Sequence, residues 1–260
     1  MAYVDIIYEV DPVTGAVAFD ANGYPIQVAQ PNANTYGQLQ AKIADEILGS
    51  PTTAQIQEAI QDAIAEYERR SFDFNRIKSF GGSTGSLSEL TTQSGMEFYS
   101  SVNLPVLVNF PHISKIQVLA FSNRYSLNNR TTSWIDDQSV SISWQGLPTD
   151  WAWDGGALRI YPVPDGEYPL IIDATIRFAP LVNDSDYNPW TNRAEALIRQ
   201  EAKRLLFVNI IRDAAQAQAM ELEIMGNPAT GRRGVLRMLE SETMRRTGGP
   251  GRIRASRGWM

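Results

Sequence analysis

The hydrophobic period of this chain changes twice, and that alternation restricts the fold more than any single motif does. From residue 35 the apolar side chains recur at helical spacing, from residue 79 to 189 they alternate as in strands, and from residue 190 the helical spacing returns. Such a chain is read as α+β: a helical bundle with an inserted antiparallel β-domain and extended termini. The bundle is expected to comprise an antiparallel helix pair, a long C-terminal helix and a shorter closing helix.

The same device marks both helices of the pair. Thr35 and Gln38 stand before Leu39, Ile43, Ile47 and Leu48, and Thr52 and Gln55 stand before Ile56, Ala59, Ile60, Ala63, Ile64 and Tyr67. A threonine followed three residues later by a glutamine is a capping box, in which each side chain accepts from the other's backbone N–H. Gly49-Ser50-Pro51 separates the two stripes, so the helices are expected to lie antiparallel or steeply crossed. Each fully buried isoleucine contributes roughly 1.5–3 kcal/mol, reason enough for the stripe to seek a partner.

The β segment opens after the Gly/Ser/Thr-rich stretch "FGGSTGSLSELTTQSG". "SKIQVLAF" and "SVSISW" alternate, and "GALRIYPVPDGEYPLIIDATIRFAP" reads as a hairpin turning at Pro164-Asp165-Gly166-Glu167, with Leu170, Ile172, Ala174, Ile176 and Phe178 on one face. "SDYNPWTNRAEALIRQEAKRLLFVNIIRDAAQAQAMELEIMG" then reads as one helix with Leu197, Ile198, Leu205, Leu206, Val208 and Ile211 on its core side. Asn227-Pro228 ends it, and "GVLRMLESETMRR" is the closing helix. The expected organisation is a β-rich extension over 1–34, a helical hairpin over 35–78, the β-domain over 79–189, the completing helices over 190–246 and a basic arm over 247–260.

Charge divides the chain unevenly. Residues 231–260 hold eight arginines against two glutamates, a net +6, which leaves −12 on the first 230 residues. An acidic body argues against a general nucleic-acid binder, whose affinity comes from neutralising phosphates. No cysteine is present, which excludes disulfides, thiolate nucleophiles and zinc–thiolate sites and suits a reducing cytoplasm. The N-terminus carries no secretory pattern, and no apolar run is long enough to span a bilayer.

A catalytic constellation is not found. His112 is the only histidine and reads as a structural or surface imidazole at a strand entrance. The glycines of "GGSTGS" lack the Lys-Ser/Thr that a phosphate-cradling loop requires and read as flexible loop. Asp136-Asp137 reads as a solvated loop between strands, and Asp184 and Asp186 read as acids favouring the helix that starts at Pro189-Trp190. As alternatives, Trp134, Trp144, Trp151 and Trp153 suggest a carbohydrate-binding tail or baseplate component, and the carboxylate pairs suggest a cell-wall hydrolase. No catalytic residue, cofactor or metal is assigned.

The order of parts resembles the head-to-tail adaptor, or connector, proteins of tailed bacteriophages. The resemblance is carried by "TYGQLQAKIADEILGSPTTAQIQEAIQDAIAEYERRSF", by "LRIYPVPDGEYPLIIDATIRFAP" and by "WTNRAEALIRQEAKRLLFVNIIRDAAQAQAMELE" with its closing helix and basic tail. The N-terminal 34 residues depart from the usual pattern, since many such proteins begin almost at the first helix. The resemblance implies a virion neck protein, made in the host cytoplasm, that forms a homo-oligomeric ring of about twelve copies under the portal protein. Such a ring extends the DNA channel without binding DNA specifically and offers a platform to the next tail or nozzle protein. The helical part, with Leu39, Ile43, Ile47, Ile56, Ile60, Ile64, Leu197, Leu205 and Leu206 as its core, is expected to form the ring.

The basic arm cannot build a core, and fully extended it reaches about 46–50 Å. Arg245, Arg246, Arg252, Arg254 and Arg257 supply charge-assisted donors, and Ile253 and Trp259 supply apolar anchors. It is read as an arm that orders on docking against an acidic groove of the portal.

Overall fold

A computed structural model of the chain describes residue 24 and residues 33–47, 51–78, 91–100, 110, 112–139, 144–154 and 156–246. Apart from Tyr24, Ala33 and Asn34, the N-terminal extension lies outside these residues. So do Leu48, most of the Gly/Ser/Thr-rich stretch, and the arm with Arg252, Ile253, Arg254, Arg257 and Trp259. The fold is α+β, with helices near both ends and mostly antiparallel sheets between them. The described residues fall into two units. One holds those up to Leu39 with Ala65–Ser71 and Asn75–Arg193; the other holds Gln40–Ile64, Phe72–Phe74 and those from Ala194 onward.

Helices α1 (Tyr36–Glu46) and α2 (Thr53–Tyr67) begin where their caps dictate. Thr35 Oγ1 accepts from the Gln38 N–H at 3.3 Å and Gln38 Oε1 from the Thr35 N–H at 3.2 Å, and Thr52 and Gln55 repeat the exchange at 3.3 and 2.9 Å. The next orphan amides of α1 find backbone partners far along the chain. Tyr36 N–H donates to the Asp186 carbonyl at 2.7 Å and Gly37 N–H to the Asp184 carbonyl at 3.0 Å. This approach requires a glycine, because a Cβ on residue 37 would lie 2.9 Å from the Asp184 Cβ.

The first unit contains two four-stranded sheets. One has the order β1 (Arg76–Lys78), β10 (Leu170–Thr175), β3 (His112–Ala120), β4 (Asn123–Ser126), antiparallel throughout. Leu170 faces Val118 and Ile172 faces Ile116, all fully buried, and a bulge at Asp173/Ala174 shifts the register. Leu170, Ile172, Ala174, Ile176 and Phe178 are buried, in keeping with the alternation in the sequence, and Ile171 is buried on the opposite face as well.

The other sheet orders β2 (Phe98–Tyr99), β8 (Ala157–Tyr161), β7 (Asp150–Asp154) and β5 (Asn128–Asn129), the last pair parallel. A short parallel pair joins β6 (Gln145–Gly146) to β9 (Val163–Pro164). The stretch read as a single hairpin is therefore not one: β8 and β10 enter different sheets. Pro162, Pro164 and Pro169 have no N–H to donate, so the ladder cannot continue across the turn. Thr92 bridges the gap instead, accepting from Tyr168 N–H at 2.8 Å and donating to the Gly166 carbonyl at 2.9 Å.

Helix α3 (Thr132–Ser139) interrupts the β region and packs on β7 through the buried Ile135. Asp136 and Asp137 are thus helical, which corrects the loop reading. Thr131 Oγ1 accepts from the Trp134 N–H and starts the helix. The short α4 (Pro189–Asn192) is capped by Asn188, whose side chain accepts from Trp190 and Thr191 N–H, with Pro189 at its first position. Asn188, not the two aspartates, holds this helix. Asp186 closes the preceding turn by accepting from Val182 and Asn183 N–H at 2.8 and 2.7 Å.

In the second unit, the segment read as one long helix is broken. Helix α5 (Glu195–Leu206) passes into a π-helical turn over Phe207–Ile211, Arg212 turns left-handed at φ 60, and α6 (Ala214–Met225) restarts behind the Asp213 cap. Asp213 accepts from Ala215 and Gln216 N–H, both at 3.1 Å. The apolar period cannot reveal this break because Phe207, Val208, Ile210 and Ile211 continue it in composition. Val208 and Ile210 are exposed, so they do not extend the core stripe. β11 (Gly226–Asn227) and β12 (Arg232–Arg233) join α6 to α7 (Val235–Arg246). Glu46 binds Arg199 at 2.9 Å and Lys203 at 2.7 Å, tying α1 to α5, and Phe72 stacks on Phe74 at 5.3 Å.

Four substitutions test this account. Ile60→Ala, at a fully buried position, is expected to cost about 2–5 kcal/mol in urea unfolding, and Ile64→Ala, at a partly exposed one, clearly less. Gly37→Ala is expected to destabilise by about 1–3 kcal/mol through overpacking against Asp184. The amide of Asn183, with that of Val182, holds the Asp186 carboxyl below its usual range. A lowered carboxyl contributes stability that is complete above the unfolded value and disappears as pH falls through the folded one. Wild type should therefore lose more stability than Asp186→Asn between about pH 4 and pH 2, measured by unfolding at stepped pH.

Candidate interaction surfaces

Within the first unit four arginines are spent on carboxylates. Arg76 binds Asp173, Arg130 binds Asp150 at 2.9 Å, and Arg177 binds Glu68. The most buried is Arg159 on β8, which joins Glu97 and the helical Asp136 and lies 4.9 Å over the Phe98 ring. Burial alone would lower its pKa, but the two carboxylates outweigh that and hold the guanidinium above its ordinary value. Asp136 is thus an ion-pair partner. The geometry of Asp184 and Asp186 is likewise that of a turn.

The four tryptophans do not share one platform. Trp151 is buried, and Trp134 stacks under Arg130 at 4.7 Å and meets Tyr161 edge-on, while Trp144 and Trp153 expose their rings. His112 is exposed at the start of β3. The β3–β4 turn carries Phe121 and Ser122 at φ 50 and 63, the geometry of a tight primed hairpin turn, with Phe121 80% exposed at the tip.

The second unit differs in the fate of its arginines. Arg199 and Arg204 bind Glu46 and Glu201, and Arg246 reaches Glu242 at 2.8 Å and Asp73 at 3.4 Å. Arg232, Arg233, Arg237 and Arg245 are exposed and have no partner among the described residues. On α7, the buried Leu236 and half-buried Leu239 and Thr243 face inward. Arg237, Met238, Ser241, Met244 and Arg245 form the outer face.

Helix α6 is apolar on two sides. Ala217 and Ile224 are buried, and the opposite side presents Ala215, Ala219 and Leu222, with Met225 exposed beside them. Its junction to α7 is tightly built, since a Cβ on Gly234 would fall 2.2 Å from the Ile224 carbonyl and one on Gly226 2.5 Å from the Arg232 carbonyl.

A groove opens where α2 meets the π-helical turn. Gln55, Glu58, Ala59 and Asp62 line one side, and Leu205, Leu206, Asn209 and Ile210 the other. Glu58 and Asp62 are exposed and have no partner among the described residues. The sequence reading missed both, although two acids one helical turn apart repel each other by about 0.2–0.5 kcal/mol and so carry a signal.

Of the expected ring-core residues, Leu39, Ile43, Ile47, Ile56, Ile60, Leu197 and Leu206 are buried and Ile64 and Leu205 partly exposed. Of the expected docking residues, only Arg245 and Arg246 fall among the described ones. Removing Arg159 as Arg159→Met strands two carboxylates and is expected to cost about 1–3 kcal/mol. Arg76→Met, at a more exposed pair, is expected to cost less than about 1 kcal/mol in the same urea titration.

No curated protein matches this chain. The family model described as SU10 adaptor protein matches residues 34–254, nearly the whole chain beyond the N-terminal extension. The capped helix pair, the inserted sheets and the C-terminal helices with their unpaired arginines all lie within that span. The chain belongs to the SU10 adaptor protein family.

Proposed function

We propose that this phage adaptor is a structural, non-enzymatic virion protein that forms a ring of about twelve copies beneath the portal, a closed assembly of the kind heterologous contacts generate. The ring extends the DNA channel and presents a platform to the next tail protein. The observation that carries the reading is the concentration of unspent binding groups after residue 207. These are exposed Val208, Ile210, Leu222, Met225, Met238 and Met244, with the unpaired Arg232, Arg233, Arg237 and Arg245. Before residue 207, six of the ten described arginines are spent on carboxylates of their own chain, and a protein that works by holding neighbours needs the opposite.

The segment 247–260 continues directly from α7 and adds Arg252, Arg254, Arg257, Ile253 and Trp259. It serves as the arm that docks on the portal, with charge-assisted bonds of roughly 1.5–3 kcal/mol each offsetting the ordering of the chain. The net −12 of the first 230 residues keeps DNA sliding rather than bound.

Co-expression with the portal protein of the same virus, followed by native mass spectrometry, is expected to give a complex with near-equal copies of each chain. Deleting residues 247–260 is expected to weaken that complex at least tenfold while leaving the thermal transition of the adaptor unchanged. An intact portal ring without bound adaptor would remove the reading.

A further inference from the structure

Two surfaces of the second unit, neither satisfied among the described residues, complement each other. The first is the groove between α2 and the π-helical turn, where Glu58 and Asp62 stand beside Leu205, Ile210 and Asn209. Both carboxylates are unpaired among the described residues, and Ile210 is 43% exposed at the groove. The second is the outer face of α7, where Arg237 and Arg245 have no partner among the described residues and Met238 and Met244 are 53% and 67% exposed. The first offers two anions with an apolar floor, and the second two cations with two flexible apolar side chains. Methionine adapts its shape to an irregular groove.

Resting on the ring reading above, we propose that the α7 face of one copy seats in the α2 groove of the next. Arg237 and Arg245 then meet Glu58 and Asp62, and Met238 and Met244 cover Leu205 and Ile210. The occupant is a second copy because both halves of the match are present on one chain. A contact between two different patches repeats head to tail and closes into a ring where the rotation between copies closes, whereas a patch that meets itself stops at a dimer. DNA satisfies only half of the surface, because phosphates would pair the arginines and leave the methionines exposed. The π-helical turn has a role in this contact. It carries Asn209 and Ile210 out of the α5 stripe and into the wall of the groove, consistent with the frequent placement of such turns at functional sites. The tight Gly226 and Gly234 crossing holds α7 firmly against α6, so the face is presented preformed.

The absence of cysteine allows a clean test. Chains carrying Asp62→Cys together with Met244→Cys are assembled with the portal and treated with a short bis-maleimide. A denaturing gel is expected to show a ladder continuing past the dimer, and each single-cysteine chain is expected to stay monomeric. A dimer from Met244→Cys alone would mean that α7 pairs with itself and would overturn the proposal. Rings in the native spectrum without a ladder would overturn it and leave the ring reading standing, whereas no ring from wild type would remove both.

Charge reversal gives an independent readout. Glu58→Arg with Asp62→Arg, and Arg237→Glu with Arg245→Glu, are each expected to abolish rings. Mixing the two chains is expected to restore rings in which they alternate, because the basic groove of one receives the acidic α7 of the other and the acidic groove of the other receives the basic α7 in return, and the chain with all four changes should also regain rings. That regain would exclude misfolding as the cause of loss. Rings that survive reversal of α7 while retention of a short DNA duplex is lost would assign the face to phosphate and refute the contact.

Discussion

The first turn of α1 must find partners for amides that a helix cannot satisfy by itself, and much of the first unit is arranged around how it does so. Tyr36 and Gly37 donate to the carbonyls of Asp186 and Asp184, and two residues earlier Asn34 N–H donates to Asn192 Oδ1 at 2.8 Å. These bonds clasp two stretches about 150 positions apart. Closing so long a loop costs little more than closing a short one, since the entropy grows only as the logarithm of length. The clasp is also close enough to exclude a side chain at residue 37. The turn held by the Asp186 carboxylate presents the two carbonyls, and Asn188 caps α4 directly behind it.

Electrostatics separates the parts of the chain that hold themselves together from those that wait for a partner. Arg159 shows the first kind: buried on a strand, it is held by two carboxylates from separate elements and an aromatic ring. A buried cation without such partners would be costly. Arg237 and Arg245 of α7 show the second kind. They stand in solvent, where an isolated ion pair would contribute little, and their worth depends on being desolvated against a complementary surface. Methionines interspersed among them provide the apolar area that makes desolvation favourable.

Much of this was legible in the sequence where the physics is local. Both capping boxes formed as read, because a Thr and a Gln three residues apart decide the matter between themselves. The face Leu170, Ile172, Ala174 was recovered because a strand repeats every two residues. The failures were non-local or compositional. The break at Phe207–Ile211 hid behind apolar residues that continued the pattern, and helix α3 hid in a segment read as strands and loop. Glu58 and Asp62 were missed because their significance depends on α5 residues some 145 positions away.

The sequence by itself determined where α1 and α2 start, that the face Leu170, Ile172 and Ala174 alternates as a strand, and that positive charge gathers at the C-terminal end. Each follows from neighbours within a few positions or from composition. Only the tertiary structure decided that β8 and β10 part into different sheets, that Asp136 serves Arg159 across 23 positions, and that α2 and the π-helical turn form a groove. Hydrogen bonds and ion pairs between distant residues depend on the closed chain, and no local period encodes which carboxylate a folded arginine will reach.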